Sequence, residues 1–392
     1  MTFRGRRTLE PEAMAAQLAA VIHREGTKNP ASLRAHPELA GWSGLDLSPR
    51  IGGGGWSALD IARLFSACGR YDAEYRDVIG AGHGRFLSLV SSQRFDPLLR
   101  SLAAGKSFCA IAITEPDFGS DVQGIATTAV AVEGGYRLDG IKQYISRIDE
   151  CTHFIVFAGI VRDAPQKAIT AFVVPRDAPG LALEPMSPAG LSSVTWGRLM
   201  LDGVTVPMAA RVGGEGQALS LFVQHFTYWR TMMAALAIGS AQAAIETAAS
   251  RMKTRHVFGG PIGRFSHLQL ALAEWIGRLR MAWLLVEDVA KQIDQRRRPA
   301  ADAAMLKAEA IEVAARATEW SMSVFGAAGY HVEEGLEKRY RDLVGLRIAD
   351  GTTDVLRGQV ARAFLGERLY ELSLGRPTQN KKLDDMASRA FW

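Results

Sequence analysis

The stretch Ile113-Thr114-Glu115-Pro116-Asp117-Phe118-Gly119-Ser120-Asp121 follows directly on an apolar, strand-like run. A loop rich in Gly, Ser and Thr that leaves a strand can offer backbone N–H groups and hydroxyls to a ring system or a phosphate. On its residues alone a plain turn accounts for it equally well. Asp350, followed by Gly351 and Thr352, reads as a helix N-cap. The run Ile51-Gly52-Gly53-Gly54-Gly55-Trp56 has no strand before it and no Gly-Lys-Ser/Thr after it, so it reads as a flexible turn and not a phosphate loop. His83, among Gly80, Gly82 and Gly84, reads as a satisfied histidine and not a catalyst. Cys68, Cys109 and Cys151 lack metal-ligand spacing and cannot all pair, and no metal site is expected.

The elements that must position such residues fall into three regions. Pro11 to Arg24 reads as a helix, with Pro near its start and apolar residues at Met14, Leu18, Val21 and Ile22. Further helical segments run through Ser57–Arg70, Ile79–Ser91 and Phe95–Ala104. The middle region switches to short β-branched or aromatic runs separated by Gly, Pro and Asp: Phe108–Ile113, Ala126–Val132, Tyr136–Leu138, Phe154–Val161, Ile169–Val174, Leu181–Pro185 and Leu199–Val206. That is the pattern of a small antiparallel β-domain. From Gln217 strand signals nearly vanish, and Leu219–Arg255, Ser266–Gln295, Ala300–Val324 and Thr353–Leu372 read as the four long helices of an antiparallel bundle. The fold class is α+β multidomain, with a helical domain over 1–106, a β-domain over 107–212 and a four-helix bundle over 213–392.

Bulk composition agrees. The 392 residues exceed one simple core, and 48% hydrophobic with 22% charged residues is a globular balance. The net charge of +5 is spread along the chain, and its densest cluster, Arg296 to Arg298, reads as a solvated helix end, so nucleic-acid binding is not expected. A mildly basic enzyme still attracts phosphate-bearing ligands. No apolar core follows the basic N-terminal residues, so no signal peptide is expected, and no run reads as membrane-spanning. Unpaired cysteines fit a reducing, cytoplasmic setting.

Four ordered motifs carry a family resemblance. TEPDFGSD, from Thr114 to Asp121, resembles the TEPxxGSD signature of acyl-CoA dehydrogenases. Tyr136-Arg137-Leu138-Asp139-Gly140-Ile141-Lys142-Gln143-Tyr144-Ile145-Ser146 resembles their y-x-l-n-G-x-K-x-[WY]-I-[ST] strand pair. Arg255-His256-Val257-Phe258-Gly259-Gly260-Pro261-Ile262 resembles RxxFGxPI, and Arg341-Asp342 with Ile348-Ala349-Asp350-Gly351-Thr352-Thr353-Asp354 resembles the RD…IYEGTxE segment. The resemblance spans roughly residues 10 to 370 and implies the acyl-CoA dehydrogenase type of fold, FAD as cofactor and a homodimer or homotetramer. It implies that Ile113, Thr114, Gly119 and Ser120 meet the flavin, with Ser120 also near substrate. Tyr144 and Ser146 would pack on and hydrogen-bond the ring, and Arg255, Phe258, Ser323, Ala327, Thr352 and Asp354 would hold the rest of the FAD. Asp350 becomes the α-proton base, its backbone N–H an enolate donor, with Gly351 and Arg230 beside the substrate. His267 is a candidate for the flavin edge.

The family pattern is broken in three places. Asp350 stands where the family has Glu, one methylene longer, about 1.5 Å. Asp350 acting on a closer or bulkier substrate, a base on another helix, and a flavin turned to oxygen chemistry are the readings left open. Ser323 and Ala327 replace a Gln and a Gly of the family's pyrophosphate loop, which predicts a weaker hold on FAD. Thr227 replaces an Asp beside Arg230, which points away from a standard fatty acyl-CoA toward a carrier-protein-bound, branched, cyclic or oxygenated acyl group. The expected reaction is α,β-dehydrogenation of an acyl thioester on CoA or an acyl-carrier protein, with electrons passed to an electron-transfer protein or oxygen. The alternatives are a flavin monooxygenase or N-hydroxylase, and a flavin-free, non-catalytic relative.

Overall fold

A computed structural model describes residues 10–161 and 168–366. The chain divides into two compact units, Met1–His225 and Phe226–Trp392. The first opens with helix α1 (Pro11–Glu25), which Gly26 ends in a left-handed turn and which buries Met14, Leu18, Val21 and Ile22, the stripe its spacing predicts. Helices α2 (Pro30–Ala35), α3 (Ala58–Tyr71) and α4 (Asp96–Ala103) follow. The expected helix over Ile79–Ser91 is instead a shorter 3-10 segment, Gly82–Leu89, because Gly80 and Gly82 take left-handed backbone that an α-helix cannot continue. The run Gly52–Gly55 is a turn tied by backbone hydrogen bonds. The N–H groups of Gly53, Gly54 and Gly55 are bonded to Ser48, Gly44 and Leu47 at 2.8–3.1 Å, and a Cβ on Gly53 would stand 2.2 Å from the Leu47 carbonyl oxygen. Glycine is needed there for close approach.

The sheet of the first unit comprises β1 (Cys109–Ala112), β2 (Thr128–Val132), β3 (Gly135–Ser146), β4 (His153–Ile160), β5 (Ala168–Pro175), β6 (Leu181–Met186), β7 (Trp196–Pro207) and β8 (Arg211–Val212). The order is β6-β7-β3-β2-β4-β5-β8, with β1 also on β4. It is mixed, which corrects the expectation of a purely antiparallel domain: β4 pairs in parallel with β1 and, further along, with β2. The apolar runs β4 and β5 are buried almost throughout, whereas β7 alternates. Phe154, Val156, Phe172, Val174, Leu199 and Val204 share one core.

Strand β3 extends well past the predicted Leu138. Its pairing with β7 slips twice, between Leu138 and Gly140 and between Lys142 and Ile145. Such bulges bend a strand and re-aim its side chains. Gly140 has φ 151°, and a Cβ there would lie 2.5 Å from Thr127 Oγ1.

Helix α5 (Ala218–Thr254) leads into the second unit, followed by the hairpin β9 (His256–Val257) and β10 (Gly260–Pro261), then α6 (Ser266–Asp294), α7 (Ala300–Phe325), α8 (Leu336–Ile348) and α9 (Thr353–Leu365). The Ala-rich α7 packs against α6, α8 and α9. The sequence reading missed α8, whose charged composition masks its buried Leu336, Leu343 and Leu346. The expected fourth bundle helix is described to Leu365, and residues 367–372 lie outside the described set. Contrary to expectation, α5 is long and apolar enough to cross a membrane by length and composition, but 72% of its apolar window is buried within the protein, as in a core helix. Gly140→Ala is expected to cost about 2 kcal/mol through overpacking against Thr127, seen as a lower urea midpoint with an unchanged slope.

Candidate functional site

In the first unit, the loop leaving β1 and the end of β3 are tied together by a buried ion pair that the sequence reading missed. Lys142 is fully buried, and its ammonium donates to Glu115 Oε1 at 2.7 Å and to the Ile113 carbonyl at 3.1 Å. Glu115 also accepts from the N–H groups of Ala126 at 2.6 Å and Thr127 at 3.0 Å. Burial pushes the Lys142 pKa down to about 8, with Glu115 opposing the shift. Burial raises Glu115, but Lys142, Thr127 and Ala126 together bring it below the ordinary carboxylate value. Both residues sit inside motifs already singled out; pairing across 27 positions was the part no local pattern reveals.

The second bulge of β3 then does two things. It frees the Gln143 N–H to donate to the Thr114 carbonyl at 2.8 Å, clasping the loop to the strand. It also puts Tyr144 at φ 58°, turning an aromatic ring outward to 59% exposure. Thr114 and Ser146 are half-buried, Gly119 and Ser120 exposed, and Ile113 buried. Space around Gly119 is open. Among the expected residues, Ile113, Thr114, Tyr144 and Ser146 are therefore brought onto one loop-and-strand platform, with Gly119 and Ser120 further along the same loop.

Next to Ser146 stands Arg147, also missed, with φ 69° and 2% exposure. Its Nη1 donates to Ser146 Oγ at 2.7 Å, its Nε donates to Asp77 Oδ1 at 2.7 Å and its Nη2 bonds the same oxygen. Arg76 approaches the other oxygen at 3.4 Å. Burial raises Asp77, but the two guanidiniums outweigh it and hold the carboxyl below its ordinary range. His83 reaches His225 at 3.1 Å, so it is a satisfied core histidine, and burial depresses both imidazoles.

In the second unit, Asp350 lies between α8 and α9 with φ 61°, a strained conformation for a non-glycine residue. It is not the helix cap. Thr352 caps α9, its hydroxyl accepting from the Val355 N–H at 3.4 Å. Arg230 Nε donates to the Asp350 carbonyl at 3.0 Å and Nη1 to Gln359 Oε1 at 3.2 Å. Lys307, unremarked in the sequence, donates to the Gly351 carbonyl at 2.7 Å and to the Arg347 carbonyl at 3.1 Å. Burial lowers Arg230 to about 10 and Lys307 to about 8, and the Asp350 charge opposes both shifts. Asp342, of the same motif, is buried and held by Lys338 at 2.6 Å. Asp354 is exposed in the first turn of α9.

The remaining candidates lie elsewhere in this unit. Phe258, at φ 47° and 89% exposed, is the tip of the β9–β10 hairpin, whose carbonyl accepts from Arg264 Nη2 at 2.6 Å. Arg255 is exposed at its base. The Ser323 hydroxyl turns back onto the Glu319 carbonyl at 3.1 Å, and Ala327 is exposed in the 3-10 turn after α7. His267 is exposed, its ring stacked with Phe265 at a centroid distance of 6.0 Å.

Because the folded pKa of Glu115 is depressed, its stabilisation is full above the unfolded value of 4.5 and lost as pH falls through the lower folded value. Glu115→Gln should flatten that acid loss in guanidinium unfolding. At neutral pH it should cost about 3 to 5 kcal/mol, because Lys142 is left buried without its anion.

Family models described as the acyl-CoA dehydrogenase middle domain and C-terminal domain match residues 110–204 and 216–365. The protein named "Probable acyl-CoA dehydrogenase YngJ" of Bacillus subtilis (strain 168) is 30% identical over 331 residues, 83% of this chain and 87% of that one. An L-prolyl-(peptidyl-carrier protein) dehydrogenase of a Serratia species is 29% identical over 327 residues, 81% of this chain and 84% of the relative. The solved structure titled "FAD complex of PigA" superposes with a TM-score of 0.82 at 26% identity, covering 92% of this chain and 98% of that one. The platform here suits a flavin: an outward aromatic ring, the hydroxyls of Thr114 and Ser146, and a glycine with open space beside it supply a stacking face, hydrogen-bonding edges and room. The chain therefore belongs to the acyl-CoA dehydrogenase family and is an oxidoreductase with FAD as its cofactor.

Proposed function

We propose that this enzyme introduces an α,β-double bond into an acyl thioester, with the Asp350 carboxylate removing the α-proton. The observation that carries this reading is the way the Asp350 loop is held. Arg230 and Lys307 are buried, and among the described residues neither has a carboxylate within ion-pair distance. Each donates to a backbone carbonyl of the loop, Arg230 to that of Asp350 and Lys307 to that of Gly351. Burying two cations in this way is costly, and its result is a fixed backbone beneath one carboxylate. The left-handed Asp350 is held from behind, which limits the misplacement that proton abstraction tolerates poorly. Its own N–H has no partner among the described residues, which leaves it available to the developing enolate oxygen.

Tyr144 and Ser146 offer the face and edge for the isoalloxazine, with Ile113, Thr114, Gly119 and Ser120 along the neighbouring loop. Arg255, Phe258, Ser323, Ala327, Thr352 and Asp354 are the contacts of the rest of the FAD, and Ser120, Arg230 and Gly351 the substrate neighbours. FAD, when bound, supplies the hydride acceptor that no side chain can provide. The Thr227 position favours an acyl group on a carrier protein over a fatty acyl-CoA, and the relative named for a prolyl-carrier substrate supports that class. The electron acceptor would be an electron-transfer protein or oxygen. The exposed apolar residues Leu270, Ile276, Met281 and Leu284 on α6, with the Phe258 tip, support a homodimer or homotetramer. Three buried free thiols suit a cytoplasmic setting, and we retain the division at 106/107 and 212/213 as the domain scheme.

Anaerobic mixing with a panel of acyl-CoA and acyl-carrier thioesters should bleach the flavin with at least one of them. Asp350→Asn should slow that bleaching by at least a hundredfold while the flavin stays bound. Unchanged bleaching in this variant would refute Asp350 as base, and dispensability together with reductase-dependent oxygen consumption would favour the monooxygenase. Lys307, charged below about pH 8, should lose part of its hold on the Gly351 carbonyl as pH rises through that value. A fall in kcat near pH 8 is therefore expected in the native enzyme, and Lys307→Arg should move it to higher pH.

A further inference from the structure

Ser146 receives a hydrogen bond from a buried guanidinium, and the consequence falls on the flavin edge that Ser146 is proposed to face. We propose that Arg147 is a positioning residue for that edge, presenting the Ser146 hydroxyl as a donor and placing positive charge immediately behind it. Arg147 Nη1 donates to Ser146 Oγ at 2.7 Å, and among the described residues this is the only hydrogen bond of that hydroxyl. With its oxygen accepting from a cation, the hydroxyl directs its proton elsewhere, and the bond it donates is strengthened by polarisation. A serine without such a partner would rotate freely and share its proton with water.

The guanidinium is itself fixed. Its Nε and Nη2 both bond Asp77 Oδ1, and its carbon stands 5.5 Å from the centre of the Phe108 ring. Asp77 also accepts from Arg76, so the carboxylate that fixes Arg147 contacts two buried guanidiniums. Arg34 lies over the same Phe108 ring at 4.4 Å and binds the Asp77 carbonyl at 3.1 Å, adding a third buried cation. The field reaches further: Arg147 and Arg76 both disfavour the charged form of the buried His83. The backbone of Arg147 is bonded too, its N–H to the Thr195 carbonyl at 2.7 Å. Its left-handed φ of 69° is thus clamped at both ends of the residue.

A hydride added to an isoalloxazine brings negative charge, so a cation behind its hydrogen-bond donor favours the reduced form. The inference rests on the placement of the ring edge at Ser146 proposed above, not on the identity of the thioester. The test uses the FAD-loaded enzyme and two readouts independent of turnover, the flavin midpoint potential and the dissociation constant for sulfite, which adds to oxidised flavins as an anion. Arg147→Met should weaken sulfite binding at least tenfold and lower the potential by about 30 mV, the two-electron equivalent of that factor. Arg147→Lys should recover part of both. Ser146→Ala, which leaves Arg147 and Asp77 in place, should shift both in the same direction by a smaller factor. Unchanged potential and sulfite affinity in Ser146→Ala and Arg147→Met would overturn the inference. Should Arg147→Met fail to fold, an unchanged Ser146→Ala would overturn it alone. Failure of every thioester to bleach the native enzyme would count against the dehydrogenase reading and leave these measurements intact.

Discussion

An ammonium group inside a β-sheet has to be paired, and the pairing of Lys142 with Glu115 organises the site of the first unit. Lys142 lies on a strand whose neighbours bury it completely, so its charge persists only with an anion and a carbonyl in contact. Glu115 supplies the anion from the loop that leaves β1, and its remaining capacity is taken by two backbone N–H groups. The loop is thereby held against the end of β3. With the loop in place, the slip in register after Lys142 becomes useful: Gln143 turns its N–H to Thr114, and Tyr144 turns its ring out of the sheet. A side chain that the strand's alternation would have placed inside is presented outward.

The second unit solves a related problem by different means. Arg230 and Lys307 are buried cations bonded to carbonyl oxygens and an amide, not to carboxylates. Carbonyl dipoles stabilise a cation less than an ion pair does, and both pKa values fall accordingly. The nearby charge that offsets part of this cost is that of Asp350. Cations, loop carbonyls and carboxylate are thus mutually dependent. The strained backbone at Asp350 persists because hydrogen bonds from both cations and the Thr352 cap of α9 over-determine the loop.

The two arrangements also explain why Glu115 and Asp77 read as structural and why Asp350 is the acid proposed as the base. Glu115 has its oxygens fully engaged and is depressed by its partners, so it is a scaffold. Asp77 is likewise engaged, serving Arg147 and Arg76. The Asp350 carboxylate accepts no hydrogen bond among the described residues, and it acts on Arg230 and Lys307 through its charge alone.

Local chemistry along the chain determined a good deal. The Met14–Leu18–Val21–Ile22 stripe gave α1, the apolar runs of β4 and β5 are buried strands, and four ordered motifs identified the family. Each of these depends on neighbours within a few residues or on side-chain type alone. Tertiary structure decided the rest: the parallel pairings of β4, the reach of β3 through two bulges, helix α8 beneath a charged sequence, and the close approach that Gly53 permits. It alone decided that Lys142 meets Glu115, that Arg147 meets Asp77 across 70 positions, and that Lys307 meets Gly351 across 44. The reason is the same in each case. A buried charge must find its counterpart wherever the fold brings one, and no spacing along the chain encodes a partner that only burial makes necessary.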